Sequence, residues 1–182
     1  MKYTKADLLA AIKKINSIEI IEEGDSGNGT MFLRIHKRLF ILGFGDDYDL
    51  EDVGDSHNID SLVKADFALS GVYKSKEVEN GALGLLDIFR IVNHVNMKSS
   101  FPAVINYREG TSLFEIEVRH LSFVNSKNHS ITGSAENQFY LNGAILLMSM
   151  ANMMAMQQLQ SEIDLYLTNP DEYIKKCTGK SK

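Results

Sequence analysis

Residues 101–124 read FPAVINYREGTSLFEIEVRHLSFV. Two β-prone runs, 103–107 and 112–124, flank Arg108, Glu109, Gly110 and Thr111. Glycine supplies the left-handed backbone position a tight connection needs, so the stretch predicts an antiparallel hairpin. The longer run turns Phe114, Ile116 and Val118 to one side and then changes phase to Leu121 and Phe123. One extra residue near His120 would account for the change, and a β-bulge is expected there.

Working outward, Leu83, Leu86, Phe89, Val92 and Val95 recur at helical spacing on the N-terminal side and predict a helix over 82–97, ending before Pro102. Apolar residues also at 85, 88 and 91 imply cover on more than one side. Beyond the hairpin, 125–134 is a polar loop and a long helix spans 136–167, stopped by Asn169 and Pro170. Residues 168–182 are expected to be a polar tail.

At the other end, Thr4 and Asp7 resemble a capping box, and Leu8, Leu9, Ile12 and Ile15 predict a helix over 4–16. A strand at 18–22, glycines at 24, 27 and 29, and a strand through Met31, Leu33 and Ile35 follow. Whether Lys37 and Arg38 turn the chain into the next apolar run, 39–44, or continue one long strand is open by sequence, because neither favours positive φ; a hairpin is expected. From Asp46 to Asp60 the chain carries seven acidic residues and no Lys or Arg, which reads as a solvated loop or insertion. Residues 61–80 are ambiguous, with Phe67, Leu69 and Tyr73 permitting a strand. The expected organisation is one α+β domain over 1–167 with an acidic insertion near 45–80. No internal repeat is visible, which argues against solenoids and propellers.

The chain has 182 residues, 44% hydrophobic and 24% charged, with a formal charge of −5. That is ordinary globular composition, and its sign disfavours nucleic acid, whose phosphates require clustered Lys and Arg. Arg34, His36, Lys37 and Arg38 form the densest basic cluster and read as a strand end in water. A single cysteine, Cys177, allows no internal disulfide, and the N-terminal stretch is interrupted by charges, so a cytoplasmic location is expected. Residues 137–161 carry no charge and are long enough to cross a bilayer of about 30 Å. Seven Asn and Gln side chains within them weigh against a membrane span.

Candidate chemistries fail on spacing. Gly54, Asp55, Ser56 and His57 resemble the start of a serine esterase, but Leu33, Gly54, Ile91, Glu117 and Ser126 stand three residues before the five histidines, where an aspartate is needed to orient the base. A calcium loop counted from Asp47 would need glycine at its sixth position and glutamate at its twelfth, yet these are Asp52 and Asn58. No histidines lie four apart for a zinc helix, and Gly179, Lys180 and Ser181 have no following helix for a phosphate loop. Asn93, His94 and Asn96 read as residues that satisfy a helix end. No catalytic residue, cofactor or metal is therefore expected.

The long helix is more informative, with methionines at 148, 150, 153, 154 and 156. Methionine is flexible and polarizable, which suits a surface that accommodates partners, although core packing would also explain the cluster. Leu146, Leu147, Met150, Met153 and Met154 spread too widely for one sheet face to cover. Asn142, Ser149 and Asn152 suggest a narrow polar edge.

The element order helix, three strands, helix, two strands, long helix resembles the type III secretion chaperone-like fold. LLDIFRIVNHVN at 85–96, followed by the hairpin at 101–124, resembles in particular the bacterial YbjN-type family of sensory transduction regulators. The resemblance implies an antiparallel sheet with helices packed on one face and a nonenzymatic protein-binding module, chaperone-like or regulatory, open to homodimerisation and without catalytic residues. The competing readings are a small-ligand or enzymatic α+β domain, with a polar pocket around His94, Asn96 and His120, and a membrane-associated protein anchored by 139–159.

Overall fold

The computed structural model describes residues 5–22, 29–44, 61–98, 103–125 and 135–178. Side chains at 22, 61–66, 120–125, 135–139 and 178 are outside that description. The protein is α+β, with a six-stranded antiparallel sheet and helices packed against it. Its chain divides into two compact units, one formed by residues 1–71 with 118–150 and the other by 72–117 with 151–182.

In the first unit, helix α1 (Lys5–Ile12) buries Leu8, Ala11 and Ile12. It stops short of the expected residue 16 because the chain tightens into three-residue hydrogen bonds, Lys14 N–H to the Ala11 carbonyl at 3.2 Å and Ile15 N–H to that of Ile12 at 2.8 Å. The tighter turn still leaves Ile15 in the core. Strands β1 (Ile18–Glu22), β2 (Thr30–Ile35) and β3 (Arg38–Phe44) follow, with Met31 opposite Leu42 and Leu33 opposite Phe40, all four buried. Across β1 and β2, Glu19 faces Arg34 and the two side chains meet at 2.7 Å in water.

The β2–β3 connection is a hairpin, but its tip is His36–Lys37 rather than Lys37–Arg38, since Ile35 pairs with Arg38. Both tip residues have positive φ, 49° and 66°. Left-handed backbone costs a non-glycine residue roughly 1–2 kcal/mol, and the two-residue tip gains a twist matched to the strands. At the open end Gly29, φ 56°, accepts the Phe44 N–H at 2.7 Å, and a Cβ there would come within 2.2 Å of the Phe44 carbonyl oxygen.

Strand β4 (Ser61–Lys74) is the main addition to the expected order. It pairs with β3, setting Leu42 opposite Leu69 and Phe44 opposite Phe67. Phe67 and Leu69 are buried, and so are Ala68, Ser70 and Gly71 between and after them. A strand covered on both faces has no polar alternation, which is why the sequence left it ambiguous. From residue 61 onward the expected insertion is thus sheet, followed by the single turn α2 (Lys76–Glu79). The acidic stretch 45–60 lies outside the described residues, as do Ser56, His57 and the calcium-loop candidates.

In sheet order, β4 is followed by β6 (Leu113–Asn125) and then by β5 (Ala103–Arg108). The β5–β6 turn matches expectation: Gly110 has φ 79°, and the Thr111 hydroxyl donates to the Arg108 carbonyl at 2.8 Å. Phe114, Ile116 and Val118 are buried as expected. Side chains from His120 onward, where the bulge was expected, are outside the description. In the second unit Phe114 stacks near Tyr107 (5.0 Å between centroids) and Tyr73 (6.1 Å). Helix α3 (Leu85–Lys98) brings Phe89 edge-on to Tyr107, and the Tyr73 hydroxyl donates to Gln160 of α4 (Ala135–Thr168).

Residues 168–182 are not simply a polar tail, because Pro170–Thr178 forms helix α5. Asn169 caps it: its Oδ1 accepts the Glu172 N–H at 3.2 Å while its amide donates to the Glu172 carboxylate at 2.9 Å. Proline at the first helical position is compatible with this start, since its missing N–H would have had no partner there. Among the described residues no helix is long and apolar enough to cross a membrane.

Candidate functional site

Helix α4 buries Leu141, Ile145, Met148, Asn152, Ala155 and Leu159, a stripe at alternating intervals of three and four. The residues expected to bind protein stand elsewhere on it. Leu147 is 68% exposed, Met150 53%, and Leu146 and Met154 are also exposed, while Met153 is partly buried. Of the methionine cluster, Met148 and Met156 are core.

The expected polar edge is overturned. Ser149 and Asn152 are buried and Asn142 is half-buried. Along this segment Ser149 and Asn152 therefore lie inside among buried apolar residues, while Leu147, Met150 and Met154 face outward. Ser149 escapes the cost of a buried hydroxyl by donating to the Leu146 carbonyl of its own helix at 2.7 Å. Periodicity shows that a helix has faces, but the polar residues mark the outer face only when the core has no place for them.

A second cluster lies within the second unit, where α3, α4 and α5 contribute His94, Glu162 and Tyr173. His94 is buried, its Nε2 stands 4.0 Å from the Glu162 carboxylate, and its ring meets that of Tyr173 edge-on at 5.6 Å. Tyr166 also packs edge-on against Tyr173, at 5.6 Å between centroids. His94 Nε2, Glu162 Oε2 and the Tyr173 hydroxyl are buried without hydrogen bonds. Burial, with Lys98 and Lys176 adding to it, pushes the His94 pKa down against the opposing pull of Glu162. Burial and the Glu162 charge push the Tyr173 phenol up. Lys176 reaches the other carboxylate oxygen of Glu162 at 3.7 Å.

This cluster is not the pocket expected around His94, Asn96 and His120. Asn96 uses its amide on β5, donating to the Ile105 carbonyl at 3.0 Å and accepting its N–H at 2.9 Å, so it clamps α3 to the strand. Asn93 is exposed, and the His120 side chain is outside the description. Sequence reasoning missed Tyr173 and Glu162. The Asn169-Pro170-Asp171-Glu172 start signal, followed by Tyr173 and Cys177 at helical spacing, could have exposed α5. Among the described residues no group of three His, Cys, Asp or Glu side chains could hold a metal ion. No family model, curated protein or solved structure matches the chain.

Proposed function

We propose that the chain is a nonenzymatic protein-binding module, chaperone-like or regulatory, whose docking surface is the outer face of α4. The observation that carries this reading is the exposure of Leu146, Leu147, Met150 and Met154 on a helix that buries Ser149 and Asn152. Burying apolar area contributes about 25 cal/mol per Å², so a strip of this kind is an association surface when covered and an aggregation hazard when bare. The element order, with its long helix after the β5–β6 hairpin, also supports kinship with the YbjN-type regulators. The test is Met150→Lys with Met154→Lys. The doubly substituted chain should keep its circular dichroism and lose association with its partner; a folded variant that associates unchanged would remove the surface from consideration.

A further inference from the structure

Helix α5 is held in place by little. Among its described side chains only Tyr173 is buried; Ile174 and Cys177 are half-buried, and the rest face water. The seat of Tyr173 between α3 and α4 is made of poorly matched polar groups. The Tyr173 hydroxyl, His94 Nε2 and Glu162 Oε2 are all buried there without a hydrogen bond. The 4.0 Å between His94 and Glu162 is too long for one. Adding an unpaired charge to such a seat is costly. The joint with α4 allows movement. Asn169 is the one non-helical residue between the two helices, and Pro170 has no N–H with which to continue the α4 ladder. The Asn169 side chain caps α5 without help from α4, so α5 can leave as a unit.

The charges around His94 decide what a proton there does. Facing it are Lys98 of its own helix, Glu162 of α4, and Tyr173 and Lys176 of α5. Lys176 already reaches Glu162 Oε1 at 3.7 Å. An imidazolium is thus a third cation around one carboxylate, in competition with the ammonium that ties α5 down. We propose that α5 is a proton-operated latch: uptake of a proton by His94 releases α5 from α3 and α4, with the chain turning at Asn169 and Pro170. On release His94 meets water, which solvates the charge that the closed seat refuses. Burial and the two lysines hold the closed-state pKa of His94 below 6.5. The open form therefore binds the proton more tightly, and its share grows as pH falls through 6.5 until the closed form is protonated too. A helix as short as α5 is marginal alone in water, so the released segment unravels and its amides lose protection. The latch lies wholly within the second unit and does not depend on the outer face of α4.

Hydrogen–deuterium exchange of the full chain tests the latch, read by mass spectrometry with times corrected for intrinsic exchange. Amides of α5 should exchange well ahead of those of β5, and at least about threefold faster at about pH 5 than at about pH 8. Cys177, beside Tyr173 on the moving helix, gives a second readout. Its rate with a disulfide reagent active in acid, divided by the rate for the guanidinium-unfolded chain at the same pH, should rise by the same factor. His94→Gln binds no proton, so α5 should then exchange at one rate throughout. Should that variant fail to fold, Lys176→Met serves in its place: it removes an exposed cation that opposes the protonated histidine, and the acceleration should shrink. The proposal is overturned if the α5 rate does not change with pH, or if α5 exchanges only in step with β5, which would make the opening global unfolding. An acceleration that persists in His94→Gln, or is undiminished in Lys176→Met, overturns it as well.

Discussion

Tyr173 shows how much one side chain can hold in place. It is almost fully buried, flanked by the rings of His94 and Tyr166, and carries a hydroxyl with no hydrogen bond. The ring and the hydroxyl should therefore act in opposite directions. Tyr173→Ala should lower stability by about 3–5 kcal/mol through the cavity it leaves. Tyr173→Phe removes only the orphaned hydroxyl and should be neutral or stabilising in urea melts. His94 adds a pH dependence whose sign follows from burial. Its folded-state pKa lies below 6.5, so as pH falls the unfolded chain takes up the proton first. The stability that neutral His94 contributes is present above pH 6.5 and declines below it, until the folded state also binds the proton. The groups facing it, Glu162, Lys98, Lys176 and Tyr173, divide over three helices, and Glu162 alone among them favours the charged form. His94→Phe should flatten the acid limb of a stability-against-pH curve below 6.5; an unchanged limb would assign it to other groups.

The elements differ in how openly the sequence declared them, and the reasons are physical. The β5–β6 hairpin was legible because a glycine turn and a one-sided apolar pattern reinforce each other. Strand β4 was obscure because the small residues Ala68 and Ser70 are buried on the face opposite Phe67 and Leu69, which erases the alternation that marks a strand. Helix α5 was hidden because Asn169-Pro170 ends one helix and starts the next with the same two residues. Helix α4 was legible as a helix; of Leu146, Leu147, Met150, Met153 and Met154, expected to bind protein, all but Met153 are exposed, and the polar edge was placed on the wrong side. That buried edge has a testable counterpart. Ser149→Ala removes a buried hydroxyl that already bonds its own helix, so the change in stability should stay within about 1 kcal/mol in urea titrations. A large loss would mean that Ser149 serves something beyond the Leu146 carbonyl.

For the molecule as a whole, association and stability should be linked. If a partner protein binds the native chain through α4 and does not bind the unfolded chain, mass action requires the thermal midpoint to rise with partner concentration. Leu147→Glu should remove that dependence without lowering the midpoint measured for the chain alone. Midpoints that do not move with partner concentration would mean that the folded state gains nothing from docking. The path of the chain sets another condition on the molecule. Each compact unit is assembled from two separated stretches, 1–71 with 118–150 and 72–117 with 151–182, so the chain leaves each unit and later returns to it. During synthesis the ribosome delivers the first part of either unit well before the part that completes it. The early strands must wait with apolar faces and hydrogen-bonding edges uncovered, and pairings between residues so far apart in sequence form slowly. A nascent chain of this design has reason to depend on cellular folding helpers until its last helices emerge.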